Sequence, residues 1–183
     1  MRPTMSRDLI QQSKFLSLVL RHDPAAAGVT LDPEGRVDVD DLIAGFPLPL
    51  TRADLIEIVA TSDKQRFAFS EDGNRIRANQ GHSIAVDLQL TAVPPPDRLF
   101  HGTATRYLNA ILTEGLTRQS RQHVHLSADT LTALKVGQRH GTPVILSIDA
   151  GQMASTGFTF WQSANGVWLT DAVPPQYLSL LPS

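Results

Sequence analysis

Pro94-Pro95-Pro96 is the feature that most limits how this chain can fold. Proline fixes φ and has no N–H, so three in a row continue neither a helix nor a central strand. The stretch 91–97 therefore reads as an extended, proline-rich linker dividing the 183 residues into two parts, 1–90 and 98–183. Each part is long enough for a small core of its own. Hydrophobic residues at 42 % and charged residues at 19 % are the composition of a globular chain, not a disordered one.

Three helices and a hairpin are predicted before the linker. From Ser6 to about Arg21, Leu9, Leu16 and Leu20 recur at helical spacing, and Phe15 and Val19 widen the apolar face. His22-Asp23-Pro24 ends that helix, because the residue before a proline is pushed out of the α region. Leu42, Ile43 and Phe46 mark a short second helix over Val39 to Phe46. Thr51-Arg52-Ala53-Asp54 resembles a capping box with Asp in the usual Glu position, and Leu55, Ile58 and Val59 follow as the buried stripe of a third helix. Phe67 and Phe69, an Asp72-Gly73 turn, and Ile76 and Ala78 alternating with arginines predict a hairpin. Three helices followed by a hairpin suggest a winged helix.

After the linker, strands and helices mix. Strands are predicted at Arg98 to His101, His123 to Ser127, Pro143 to Ile148 and Gly166 to Leu169. Arg106 to Glu114 reads as a helix with Leu108, Ile111 and Leu112 inward and Gly115 just past its end, and Thr130 to Gln138 as another. The expected fold class is α+β in two lobes. No G-x-G-x-x-G fingerprint or P-loop occurs, so a nucleotide would have to be bound another way.

Charge and composition narrow the function classes. A net charge of −2 supplies no global field toward nucleic acid, so such a partner needs a local patch. Three of the 16 basic residues are lysines (Lys14, Lys64 and Lys135), leaving 13 arginines, the side chain suited to bidentate recognition of phosphate. With no cysteine there is no disulfide framework and no thiolate metal site. No apolar run approaches the roughly 18–20 residues of a membrane span, so no membrane partner is expected. Met1-Arg2-Pro3-Thr4-Met5-Ser6-Arg7 leads straight into an amphipathic stretch. No secretory leader is expected, and the cytoplasm is the expected compartment.

Several polar groups could carry chemistry. Arg21-His22 reads either as a cationic cap on a helix C-terminus or as a phosphate clamp with an adjacent proton donor. Asp63-Lys64-Gln65-Arg66-Phe67 is a solvated turn, or, if Arg66 points inward, faces the same cavity as Arg21. In Gln80-Gly81-His82-Ser83 the histidine is structural or catalytic. His101-Gly102-Thr103 sits where a strand meets a helix N-terminus, a plausible nucleotide contact. Strand alternation would put Arg121, His123, His125 and Ser127 on one face. His123-x-His125 could chelate, but there is no HExxH, no cysteine and no carboxylate close by in sequence, so no metal is expected.

Taken in order, these segments resemble the tRNA 2'-phosphotransferase (KptA) family. The matching stretches are Ser13-Lys14-Phe15-Leu16-Ser17 through Leu20-Arg21-His22, Gly35-Arg36-Val37-Asp38, Asp63 to Phe67 and Arg77-Ala78-Asn79-Gln80-Gly81-His82-Ser83. His101-Gly102-Thr103, Arg121 to Ser127 and Asn165-Gly166-Val167-Trp168-Leu169 follow. They cover nearly the whole chain. Arg36 departs from the family, where an aromatic residue is common, with no catalytic consequence expected.

The resemblance implies a winged-helix-like first lobe that binds RNA phosphate and a second, NAD-binding lobe of the ADP-ribosyltransferase type, with the active site in the cleft between them. It implies that Arg21, His22, Arg66 and Arg121 grip the substrate phosphate. It implies that His101, His125 and Val167 form the NAD-binding triad, with Gly102, Thr103 and Ser127 as neighbours. NAD is the co-substrate and RNA bearing a 2'-phosphate, tRNA-like or other, the partner. In the family's eukaryotic members the context is tRNA splicing. A monomer is expected.

The implied reaction has two steps. The RNA 2'-phosphate attacks the nicotinamide ribose of NAD and expels nicotinamide, giving an RNA-2'-phospho-ADP-ribose intermediate. The ribose 2''-hydroxyl then attacks the phosphate, releasing 2'-OH RNA and ADP-ribose 1'',2''-cyclic phosphate. A phosphate monoester carries about −1.5 to −2 charge, and each charge-assisted bond to arginine contributes about 1.5–3 kcal/mol. Val167 stands where many ADP-ribosyltransferases have a glutamate, which suits a nucleophile that arrives already anionic. His22 is the candidate proton source for the departing 2'-oxygen. Two other readings stand beside this one. One is an ADP-ribosyltransferase that stops at an adduct on nucleic-acid ends or protein. The other is a winged-helix DNA-binding regulator, although its third helix, with Asp54 and Glu57, is not basic.

Overall fold

The computed structural model describes residues 7–62 and 64–182. The leader reading on residues 1–6, the expected helix start at Ser6, and Asp63 at the hairpin entry lie outside the described residues. Two compact units make up the chain, Met1–Gln89 and Leu90–Ser183. Across both, the described residues form six α-helices and small antiparallel sheets, a mixed α/β architecture.

In the first unit, α1 (Arg7–Arg21) buries Leu9, Leu16, Val19 and Leu20, the stripe the heptad-like spacing predicts. Gln12 is buried on the same face, its amide donating to the Pro49 carbonyl. A polar residue in that position is invisible to a hydrophobic pattern, because its partner lies on another segment. Phe15 packs edge-on against Phe46, ring centroids 4.9 Å apart. A 3-10 turn at Pro24–Ala27 follows α1.

Next come β1 (Arg36–Asp38), α2 (Val39–Gly45) and α3 (Arg52–Thr61). Asp38 caps α2 by accepting from the amides of Asp40 and Asp41. Thr51 and Asp54 form the reciprocal capping box of α3: Thr51 Oγ1 accepts from the Asp54 amide, and Asp54 Oδ2 accepts from the Thr51 amide at 2.8 Å. The hairpin is β2 (Phe67–Phe69) and β3 (Arg75–Ala78), with Phe69 opposite Ile76 and Gly73 at φ 70° in the turn. The strand β1, not foreseen, adds to the other edge of β3, with Val37 opposite Ile76. Leu16, Leu20, Leu42, Leu55, Ile58 and Ile76 meet in the core of this unit.

The second unit begins on the proline-rich stretch. It is extended but tethered: Val93 donates its amide to the Phe160 carbonyl, and Ala92 bridges to Trp161. β4 (Arg98–Ala104), three residues longer than predicted, leads into α4 (Thr105–Glu114), which ends on Gly115 at φ 86°. α4 is the most solvent-facing helix. Ile111 packs on the core, but Leu112, expected inward, is exposed. β5 (Leu116–Thr117), β6 (Val124–Leu126), α5 (Thr130–Gly137), β7 (Pro143–Asp149), α6 (Ala150–Ser155), β8 (Trp161–Gln162), β9 (Trp168–Thr170), β10 (Ala172–Val173) and β11 (Leu178–Leu180) complete it.

Seven residue pairs join β4 to β7, and β11 flanks β7 on its far side. A second sheet runs β6-β9-β8. The two sheets are stitched where Phe100 and Ser127 exchange backbone hydrogen bonds of 2.9 and 2.8 Å. Leu99, Leu126, Ile148, Met153 and Phe160 fill the core beneath. Among the described residues, no helix is long and apolar enough to cross a membrane.

Candidate functional site

In the first unit, three of the candidate phosphate ligands are gathered by one short segment, residues 79–83. Asn79 donates its amide to the Arg66 carbonyl at 2.9 Å, and its Nδ2 to the Gln65 carbonyl at 2.6 Å. Gln65 sits at φ 42°, a strained left-handed turn that this side chain holds in place. Gly81, at φ 89°, lies beside the Arg21 guanidinium; a Cβ there would come 3.6 Å from Arg21 Cζ. Ser83 donates its amide to the Arg21 carbonyl at 2.9 Å, and its hydroxyl lies 2.8 Å from His22 Nδ1. The Arg21 guanidinium carbon is 5.9 Å from the centroid of Phe67, the residue after Arg66. Arg66 is half-buried.

His82 is the plug of this arrangement. It is 1 % exposed, and neither ring nitrogen makes a hydrogen bond among the described residues. Its Nε2 packs on Gly35. Burial, then the positive charges of Arg21, His22 and Arg77, hold its pKa down at about 4, so the ring is neutral in ordinary buffers.

In the second unit, β4 and β6 bring His101, His125 and Ser127 together. His101 Nδ1 donates to the His125 carbonyl at 3.2 Å, since a carbonyl can only accept. Burial pushes the His101 pKa below its ordinary value; that hydrogen bond opposes the shift, and the charges of His140 and Arg121 reinforce it. A neutral ring with Nδ1–H committed presents Nε2 as an acceptor. The antiparallel register of β6 and β9 pairs His125 with Leu169 and Leu126 with Trp168, and Val167 directly precedes β9. Val167 lies in a turn closed by Ser163, which exchanges hydrogen bonds with its backbone.

One sequence expectation changes here. Neither Arg121 nor His123 is on the strand with His125, since β6 starts only at Val124. Arg121 lies exposed in a turn, its amide donating to the Arg118 carbonyl. Gly102 is needed on its helix side: a Cβ there would fall 1.6 Å from the Ala133 carbonyl oxygen, and one on Gly137 would meet Thr103 at 2.7 Å. This glycine pair lets α5 lie directly on β4. Thr103 is buried in the same seam. His123 packs against Trp161, ring centroids 5.2 Å apart and the planes tilted by 58°.

Asn79, matched only as part of the stretch 77–83, and His140, which no motif contains, also contribute here. Asn79 follows directly on a strand arginine pattern, where an amide that caps a turn is a recurrent device. His140 ends the turn after α5, and nothing in local periodicity links it to His101. Among the described residues, no group of three or more His, Asp or Glu side chains is placed to hold a metal.

An Arg-His pair closes α1 in the first unit, and two histidines lie on adjoining strands of the second. The chain belongs to the RNA 2'-phosphotransferase, Tpt1 / KptA family, whose model matches residues 7–172. A probable RNA 2'-phosphotransferase of Hahella chejuensis is 59 % identical over 180 residues, covering 97 % of each chain. One of Agrobacterium fabrum is 59 % identical over 171 residues, 92 % of each chain. One of Escherichia coli O139:H28 is 52 % identical over 178 residues, covering 94 % of this chain and 96 % of its own.

Proposed function

We propose that this protein is an NAD-dependent RNA 2'-phosphotransferase that removes an internal 2'-phosphate from RNA. The observation that carries the reading is the convergence of Arg21, His22 and Arg66 on segment 79–83 within a chain of this family. The element order of the first unit, helix, strand, two helices and a hairpin, supports a winged-helix-like lobe; the paired small sheets of the second support one of the ADP-ribosyltransferase type.

The donor set of the second unit fits a nucleotide sugar. A neutral His101 with Nε2 as acceptor suits a ribose hydroxyl, and His125 and Ser127 add polar groups beside it. His101, His125 and Val167 would hold NAD, with Gly102, Thr103 and Ser127 as neighbours. When bound, NAD supplies the ADP-ribosyl group that takes the phosphate, with nicotinamide as the leaving group.

The chain's own residues bind and orient the phosphate. Arg21, Arg66 and Arg121 give planar, permanently charged forks that match its oxygens and stabilise charge developing on them during transfer. His22 holds the proton that the departing RNA 2'-oxygen takes. The reading extends to a monomer working in the cytoplasm without a catalytic metal.

The test is incubation with an oligonucleotide carrying one internal 2'-phosphate, with and without NAD and with a chelator present. Loss of the phosphate that requires NAD, and falls by about a hundredfold or more in Arg121→Ala, is the expected result. A stable adduct on the oligonucleotide would instead mean ADP-ribosylation. Duplex DNA binding without turnover would mean a regulator. Either outcome overturns the reading.

A further inference from the structure

We propose that Ser83 is a positioning residue for the transfer reaction, its hydroxyl anchoring the His22 imidazole through Nδ1 so that Nε2 is the nitrogen that exchanges a proton with substrate. The inference rests on the proposed role of His22 and goes beyond it by naming the ring atom and the residue that sets it.

The geometry is specific to the two residues. His22 follows the last turn of α1, where its amide donates to the Leu18 carbonyl. Ser83 arrives from the far side of β3 and is fixed at both ends of its contact. Its amide donates to the Arg21 carbonyl at 2.9 Å, which sets the backbone, and its Oγ then lies 2.8 Å from His22 Nδ1. His82, fully buried beside it, and Gly81, at φ 89° against Arg21, leave the segment little freedom to carry that hydroxyl elsewhere. A ring anchored at Nδ1 has a fixed plane, and the position of Nε2 follows from it.

An exposed serine of this kind contributes little to the core, so its removal separates positioning from folding. Ser83→Ala, Ser83→Thr, His22→Ala and the double variant His22→Ala/Ser83→Ala are compared on a 2'-phosphorylated oligonucleotide with NAD. Loss of one orienting hydrogen bond lowers kcat about three- to tenfold with KM for the oligonucleotide nearly unchanged. Ser83→Thr, which keeps the hydroxyl, restores most of the rate. In the His22→Ala background, Ser83→Ala has no further effect. Nitrogen NMR of the His22 ring gives a readout independent of turnover: the Nδ1 signal moves in Ser83→Ala and returns in Ser83→Thr.

Full kcat in Ser83→Ala, or equal losses from Ser83→Ala with and without His22, overturns the inference. An unmoved Nδ1 signal overturns it as well. Wild-type protein that leaves the 2'-phosphate in place would sink the functional reading, while the NMR result would still report on the Ser83–His22 contact.

Discussion

Acid should destabilise the first unit through His82. Its pKa lies at about 4 in the folded protein against an ordinary 6.5, first because it is buried and then because Arg21, His22 and Arg77 surround it with positive charge. Between those two values the unfolded chain binds a proton that the folded chain refuses. Stability from this group is therefore complete above about pH 6.5, falls as pH drops through the window, and levels off below about 4. At about 1.4 kcal/mol per pH unit, the gap amounts to about 3 kcal/mol, a large share of the stability of a small unit.

The comparison variant is His82→Leu. Neither ring nitrogen is hydrogen-bonded among the described residues, so an apolar side chain of similar size breaks no such bond. Near pH 7.5 the two proteins should differ by less than about 1.5 kcal/mol in urea unfolding followed by circular dichroism. At pH 4 the wild type should have lost about 3 kcal/mol more than the variant. His101 and His123 are shifted in the same direction, but both proteins carry them and the difference cancels their effect. Equal losses in the two proteins, or a His82 ring titrating near 6.5 by NMR, would refute the reasoning.

Two further perturbations test the scaffold. Gly102→Ala forces a methyl group into the Ala133 carbonyl, so the β4–α5 seam must open; a cost of at least about 1–3 kcal/mol should appear as a lower Tm, with Gly73→Ala in the hairpin turn, where a Cβ meets nothing within 4 Å, as the contrast for backbone strain alone. Thr51→Ala removes the acceptor for the Asp54 amide and should cost about 1 kcal/mol in urea unfolding, whereas Thr51→Ser should cost less than half of that.

Where a signal is complete within a few residues, it was legible. The capping box of α3 is four consecutive residues, the Asp72-Gly73 turn is two, and the stop after Arg21 follows from a proline's effect on its neighbour. The amphipathic stripe of α1 is likewise a property of one segment. Arg21 and His22 could be named for the same reason, as a short polar motif at the end of α1, whereas His101 and His125 lie inside β4 and β6.

What escaped is what depends on a distant partner. The three-residue β1 is too short to show a period and becomes a strand only because β3 offers it an edge. Gln12 looks like a solvent residue until Pro49 arrives to accept its amide. Alternation over 121–127 predicted one long strand face, but β9 pairs only from Val124, and the chain before it turns, which puts Arg121 in a loop. The need for a glycine at 102 on its α5 side comes from the Ala133 carbonyl, far along the chain.

By itself the sequence determined the helices, their caps, the hairpin and the polar motifs, because these need only neighbours along the chain. The tertiary structure alone decided how those motifs are held. Residues 79–83 join the end of α1 to the entry of β2, and His82 is neutral because burial there costs a charge more than its unpaired nitrogens cost a ring.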